Sequence, residues 1–215
     1  MSVWQIAGWI LWLLIIVRYF PREFWPKLKT EPGYQHFVFA TVLGLSALWS
    51  VKAGIIAGLN IHFLLLTTLI LCHGWRIAML LCLFVSLILI LLQQVPIADA
   101  GLYAFTTFIL PGLFSYLLFL ASYRYLTRHL FIYIFVAGFL AAALTIALHM
   151  LLVSLWFYAE GRFAWDIIYD NYLKLSILTW FPEALLNGGA ITLMAVYQPH
   201  WLRTFYDREY LSPER

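Results

Sequence analysis

Apolar residues fall into seven blocks along this chain, at about 3–20, 36–51, 54–72, 75–93, 101–121, 131–156 and 173–198. A helix that crosses a bilayer needs about 20 mostly apolar residues, so the blocks predict an all-α fold, a polytopic membrane helix bundle of about seven transmembrane helices. Short polar, glycine and proline breaks separate most of them. The exception is the connection from Arg18 to His36, where Pro21, Pro26 and Pro32 alternate with Arg22, Lys27, Lys29 and aromatic residues. That mixture predicts an interfacial loop anchored by its rings. The first block has no basic residue before it and no small-x-small site after it, so it reads as a retained span and not a cleaved signal.

Composition strengthens this picture. Of 215 residues, 64% are hydrophobic and 11% charged, well outside the range of soluble domains. The whole of 1–215 is expected to form a single integral membrane domain, with a cytoplasmic tail over 204–215. In the seven-span arrangement Arg18, Arg22, Lys27, Lys29, Arg76, Arg124, Arg128, Arg203, Arg208 and Arg215 lie on one side, and Lys52, Arg162 and Lys174 on the other. The positive-inside rule then places the N-terminus outside and the C-terminus in the cytoplasm. Asp99, Glu160, Asp166 and Asp170 give the outer loops a mildly acidic face, suited to attracting cations. The net charge of +3 is dispersed, so no nucleic-acid surface is expected. Cys72 and Cys82 lack metal or disulfide spacing and read as packing residues.

Ionisable and amide groups at membrane depth carry the candidate chemistry, because each is costly there unless paired or hydrated. Asn60 and His62 fall in the third block, near the bilayer midplane if that block is a helix. Thr145 and His149 share a face of the sixth at i, i+4, as do Glu183 and Asn187 of the seventh. Running the helices in alternating directions brings His149 and Glu183 to comparable depth in the outer half of the membrane, with His62 somewhat deeper, so that the three could converge. Two imidazoles and a carboxylate suit a borderline divalent cation. The alternative is that each is a hydrogen-bonded packing residue. His73 is expected at the cytoplasmic mouth, with His36, His129 and His200 interfacial. Pro111-Gly112 and Pro182 mark helix breaks beside which a cavity is expected. Gly54-x-x-x-Gly58, Ala137-x-x-x-Ala141 and Gly138-x-x-x-Ala142 are close-packing motifs, serving either internal packing or a second subunit. No nucleotide-binding or hydrolytic motif is present, so the chain is expected not to be an enzyme.

The stretch "GIIAGLNIHFLLLTTLILCHGWRIAMLLCLFVSLILILL", the polar turn with Asp99 and Gly101 and the closing "FPEALLNGGAITLMAVYQPHWL" resemble the CbiM-like family over about residues 36–203. These are substrate-binding membrane subunits of cobalt and nickel energy-coupling-factor transporters. The resemblance implies a bacterial inner-membrane protein with Co²⁺ or Ni²⁺ as transported substrate and no resident cofactor. It also implies a scaffold subunit and cytoplasmic ATPases as partners. In that family the cation is held by the amino-terminal group, a histidine at position two and a histidine that His62 matches. Here position two is Ser2, whose small size permits removal of Met1. The metal ligands are therefore expected to be His62, His149 and Glu183, with Asn60 and Asn187 binding substrate, unless this branch takes a different substrate. Two other classes fit the same polar groups: a non-catalytic accessory or assembly subunit, and a b-type haem protein ligated by His62 and His149.

Overall fold

The computed structural model describes residues 2–210, and its described residues form helices with no named strand. Met1, Arg215 and the part of the expected tail beyond Tyr210 lie outside them. Helix α1 (Val3–Arg18) opens on a capping box, with the Ser2 hydroxyl accepting from the Gln5 N–H and the Gln5 side chain accepting from the Ser2 N–H, which satisfies two donors of the first turn. The interfacial loop is partly helical: α2 (Phe24–Thr30) buries Phe24. Pro32 then opens α3 (Pro32–Ser50), where its missing N–H costs nothing.

The third apolar block departs from expectation. Residues 54–72 are not one helix: 51–65 is irregular, closed by a pair of backbone hydrogen bonds between Ala53 and Ile61 (2.9 and 2.7 Å). Gly58 turns the chain at φ +94° and Leu65 adopts φ 51°, so the Gly54/Gly58 pair makes a turn and not a helix-packing face. Only α4 (Leu66–His73) is helical, and all eight of its residues are buried. At 1.5 Å per residue it is about 12 Å long. Irregular backbone at such depth is tolerated only when protein or a water-lined cavity surrounds it, and α4 sits amid the remaining helices.

Those helices are α5 (Trp75–Leu91), α6 (Ile97–Tyr125) and α7 (Leu130–Ala159), α8 (Trp165–Asn171) and α9 (Ser176–Tyr197). Helices α6 and α7, of 29 and 30 residues, are long and apolar enough to cross a membrane; α1 and α5 are shorter apolar helices. Both long helices contain π-turns, at Phe105–Ile109 and Tyr133–Leu140. Pro182 lies inside a continuous α9. α4 packs on α5, α6, α7 and α9.

Small residues set two close approaches. A Cβ on Gly8 would lie 2.6 Å from the Leu102 nitrogen, so α1 crosses α6 backbone to backbone through Gly8 and Gly101. Gly138 faces Ile191 of α9, so the α7 motif packs internally. Gly188 faces Phe139, but Gly189 faces nothing within 4 Å.

Residues near Ser2, Lys52, Gln94, Asp99 and Arg162 gather at one end of the bundle. Glu23, Arg76, Arg128, Arg203 and Glu209 gather at the other, where Glu23 lies 2.7 Å from Arg76 and 3.6 Å from Arg203. His73 is also there, but not interfacial. It is 1% exposed and stacked on Phe37 at 4.6 Å, while His36, His129 and His200 are exposed. The free thiols of Cys72 and Cys82 are buried.

Candidate metal centre

His149 of α7 is placed by a backbone irregularity in α6. In the π-turn the Leu110 N–H donates to the Phe105 carbonyl, and the next residue, Pro111, has no N–H to offer Thr106. The Thr106 carbonyl is thereby left without a helical partner and lies 3.0 Å from Nδ1 of His149. A carbonyl oxygen only accepts, so Nδ1 carries the proton and Nε2 keeps its lone pair. This is how a metal-binding imidazole is normally oriented from behind. Pro111 thus acts one turn away from where the helix was expected to open.

His62 lies on the irregular segment, edge-on to Trp49 at 5.9 Å, whose indole N–H donates to the Leu64 carbonyl at 3.0 Å. The His62 and His149 rings are 5.7 Å apart between centroids, at 75°. Metal–nitrogen bonds of about 2 Å put two shared imidazoles roughly 4.5–6.4 Å apart by centroid, depending on the angle at the metal. Both rings are buried, and among the described residues Nε2 of His62 has no hydrogen-bond partner.

Glu183 is directed elsewhere. Its Oε2 accepts from the Leu64 N–H at 3.0 Å, and its Oε1 from the Leu65 N–H and the Asn187 amide, both at 2.8 Å. Asn187 in turn accepts from the Thr68 N–H and hydroxyl, each at 2.9 Å. The pair sits at the start of α4, where the first N–H groups lack partners and the helix dipole favours an acceptor. Glu183 and Asn187 therefore hold the backbone directly after His62 and do not reach the imidazoles. Among the described residues no three His, Cys, Asp or Glu side chains are grouped to hold a metal.

His62 and His149 line a cavity of about 250 Å³ together with the exposed Asn60. Its walls include side chains that sequence reasoning missed: Lys52, Tyr103, Thr107, Trp156 and Tyr172. The Thr106-Thr107 pair ahead of Pro111, and a lysine directly after an apolar block, were the available signals. The cavity lies at the Ser2 end of the bundle. There Arg162 makes a bidentate pair with Asp99 (2.6 and 3.0 Å) and a further ion pair with Glu160 (2.7 Å). Ser2 donates to Glu160 at 2.7 Å, and Gln5 to Asp99 at 2.7 Å. The hydrogen bonds that Arg162 donates to Asp99, with both acids nearby, raise the Arg162 pKa above its ordinary value. The acidic face is thus largely neutralised: Asp99 and Glu160 share Arg162, and Asp170 pairs with Lys174.

No curated protein and no solved structure matches the chain. A family model does, over residues 2–201, nearly the entire sequence. By that match the chain belongs to the CbiM family, described as the cobalt uptake substrate-specific transmembrane region.

Proposed function

We propose that this protein is the substrate-binding membrane subunit of an energy-coupling-factor importer for a divalent transition metal of the cobalt and nickel class. The observation that carries this reading is the meeting of two buried imidazoles in one cavity, with His149 oriented by the Thr106 carbonyl so that a lone pair is left for a cation. His62 and His149 are the ligands, and Asn60 lines the path to them. Glu183 and Asn187 fix the position of His62 through the backbone. The family supplies transport of cobalt; the imidazole pair extends the range to nickel, since nitrogen donors suit both ions.

The chain crosses the bacterial inner membrane about seven times as one domain, α4 with its preceding irregular segment making one crossing. The basic residues at the Arg76 and Arg203 end support a cytoplasmic C-terminus, and the cavity then faces outside. Because the chain carries no ATPase motif, a scaffold subunit and cytoplasmic ATPases supply the energy. Metal analysis of purified protein loaded in turn with Co²⁺, Ni²⁺ and Zn²⁺ tests the reading. One tightly held ion per chain is expected, lost in His62→Ala and in His149→Ala but kept in Glu183→Gln. Absence of stoichiometric metal, or retention in both histidine variants, overturns it.

A further inference from the structure

The walls of the cavity are unusual for a site meant to hold a bare cation. Besides the His62 Nε2, the Trp156 indole N–H and the Tyr172 hydroxyl are buried there without a hydrogen-bond partner among the described residues, while the Tyr103 and Thr107 hydroxyls face each other. Tyr172 is 1% exposed, so water does not satisfy it from outside. Buried polar groups left unpaired are costly, and several converging on one space mark it as the seat of a polar ligand.

Charge and donor direction say which kind. Among the described residues the only carboxyl in the lining is Asp99, and its oxygens are taken by Arg162 and Gln5. Lys52 also lines the space and spends one N–H on the Gln94 carbonyl at 3.1 Å. A dication held by two neutral imidazoles would carry both charges uncompensated into this interior, beside an ammonium. Water on such an ion would present O–H donors to an indole N–H and an ammonium, neither of which accepts. A carboxylate-bearing shell reverses both mismatches. It neutralises the metal and offers acceptor oxygens outward to Lys52, Trp156 and the Tyr172 hydroxyl.

We propose that the cargo recognised here is a metal chelate, a divalent cation already held by a small carboxylate chelator such as a hydroxy acid or amino acid. His62 and His149 complete the metal's coordination, and Lys52 and Trp156 bind the chelator's carboxylates. The proposal rests on the metal-binding reading above and names its substrate class. No covalent step is involved: the imidazoles replace metal-bound water.

Equilibrium dialysis of the full chain with Co²⁺ alone, Co²⁺ with radiolabelled citrate, and Co²⁺ with radiolabelled L-histidine tests this. One of the two chelators is expected to be retained with cobalt, only when cobalt is present, and to tighten cobalt binding by at least about tenfold. Lys52→Met and Trp156→Phe should each weaken the chelate by about tenfold, the effect of one charge-assisted or buried hydrogen bond, while Co²⁺ alone binds Lys52→Met at least as tightly as the parent because the neighbouring ammonium is gone. Cobalt bound equally well with neither chelator retained overturns the proposal and leaves the metal-binding reading standing. Chelator retained without cobalt, or in the His62→Ala, His149→Ala double variant, overturns it in favour of a simple anion site. Failure of cobalt to bind in any form removes the underlying reading itself.

Discussion

Replacing Glu183 by alanine separates a positioning role from a ligand role. The side chain accepts from the Leu64 and Leu65 N–H groups at 3.0 and 2.8 Å, in surroundings where Glu183 is 2% exposed. Truncation leaves both donors buried and unpaired, at about 1–3 kcal/mol each, or roughly 4 kcal/mol together. The Asn187 amide is not part of that sum, because it keeps a 2.8 Å bond to the Glu183 carbonyl. For a chain of this size about 4 kcal/mol corresponds to a fall in melting temperature on the order of 10 °C. Tryptophan fluorescence during heating in detergent reads the melt, and thiol labelling of the buried Cys72 reports on α4. Glu183→Gln keeps one acceptor oxygen and should fall about half as far, with one bound cobalt per chain retained. A Glu183→Ala melt within about 2 °C of the parent, with Cys72 still protected, would refute the capping argument. Loss of cobalt in a well-folded Glu183→Gln would instead restore Glu183 as a ligand.

Three further outcomes follow from the packing. Pro111→Ala returns an N–H opposite the Thr106 carbonyl, where it competes with His149; cobalt affinity measured by calorimetry should fall about 10–100-fold, and an unchanged affinity would separate the π-turn from the site. Gly8→Val drives a side chain into the Leu102 backbone, 2.6 Å away at Cβ, and should cost at least about 1–3 kcal/mol, read as a lower melting temperature. The Glu23 pKa is lowered below its ordinary 4.5, by its backbone hydrogen bond first and then by Arg76 and Arg203. Its contribution to stability is therefore present above the unfolded value and lost as pH falls through the folded one. Melting temperatures taken between about pH 5 and pH 3 should decline less in Glu23→Gln than in the parent, and parallel curves would refute the linkage.

Long apolar blocks announce helices reliably, because nothing else can satisfy so many backbone groups in lipid. That is why α1, α3, α5, α6, α7 and α9 were legible from the sequence. The third block misled for a physical reason. Its hydropathy is as high as that of its neighbours, but Gly58 needs a positive φ and 51–65 is stabilised by contacts distant in sequence. Those contacts also hid the roles of Glu183 and Asn187. Their shared helix face was readable from the i, i+4 spacing, but their partners are backbone N–H groups of Leu64, Leu65 and Thr68, which leave no mark in side-chain identity. Counting residues set His62 somewhat deeper than His149, near enough for the two to converge. That Pro111 frees a carbonyl for His149 could not be seen without the π-turn. The neutralised acids show the same limit: composition located Asp99 and Glu160 on one face, and only the fold brings Arg162 between them.

The fastening of α4 bears on how the protein is made. Its first turn is held by Glu183 and Asn187, and its last carbonyls by the end of the chain, with the Arg203 N–H on Cys72 and the Thr204 N–H and hydroxyl on Leu71 (3.2, 3.2 and 2.9 Å). Synthesis up to Phe181 has therefore made both histidines and the local Ala53–Ile61 and Trp49–Leu64 bonds, but none of the residues that clasp the two ends of α4. Chains fold progressively during synthesis, yet here the segment between α3 and α5 waits for the final helix and the stretch beyond it. The segment that carries His62 is fastened by residues translated after both imidazoles, so a chain that stops before Glu183 holds both histidines without that fastening.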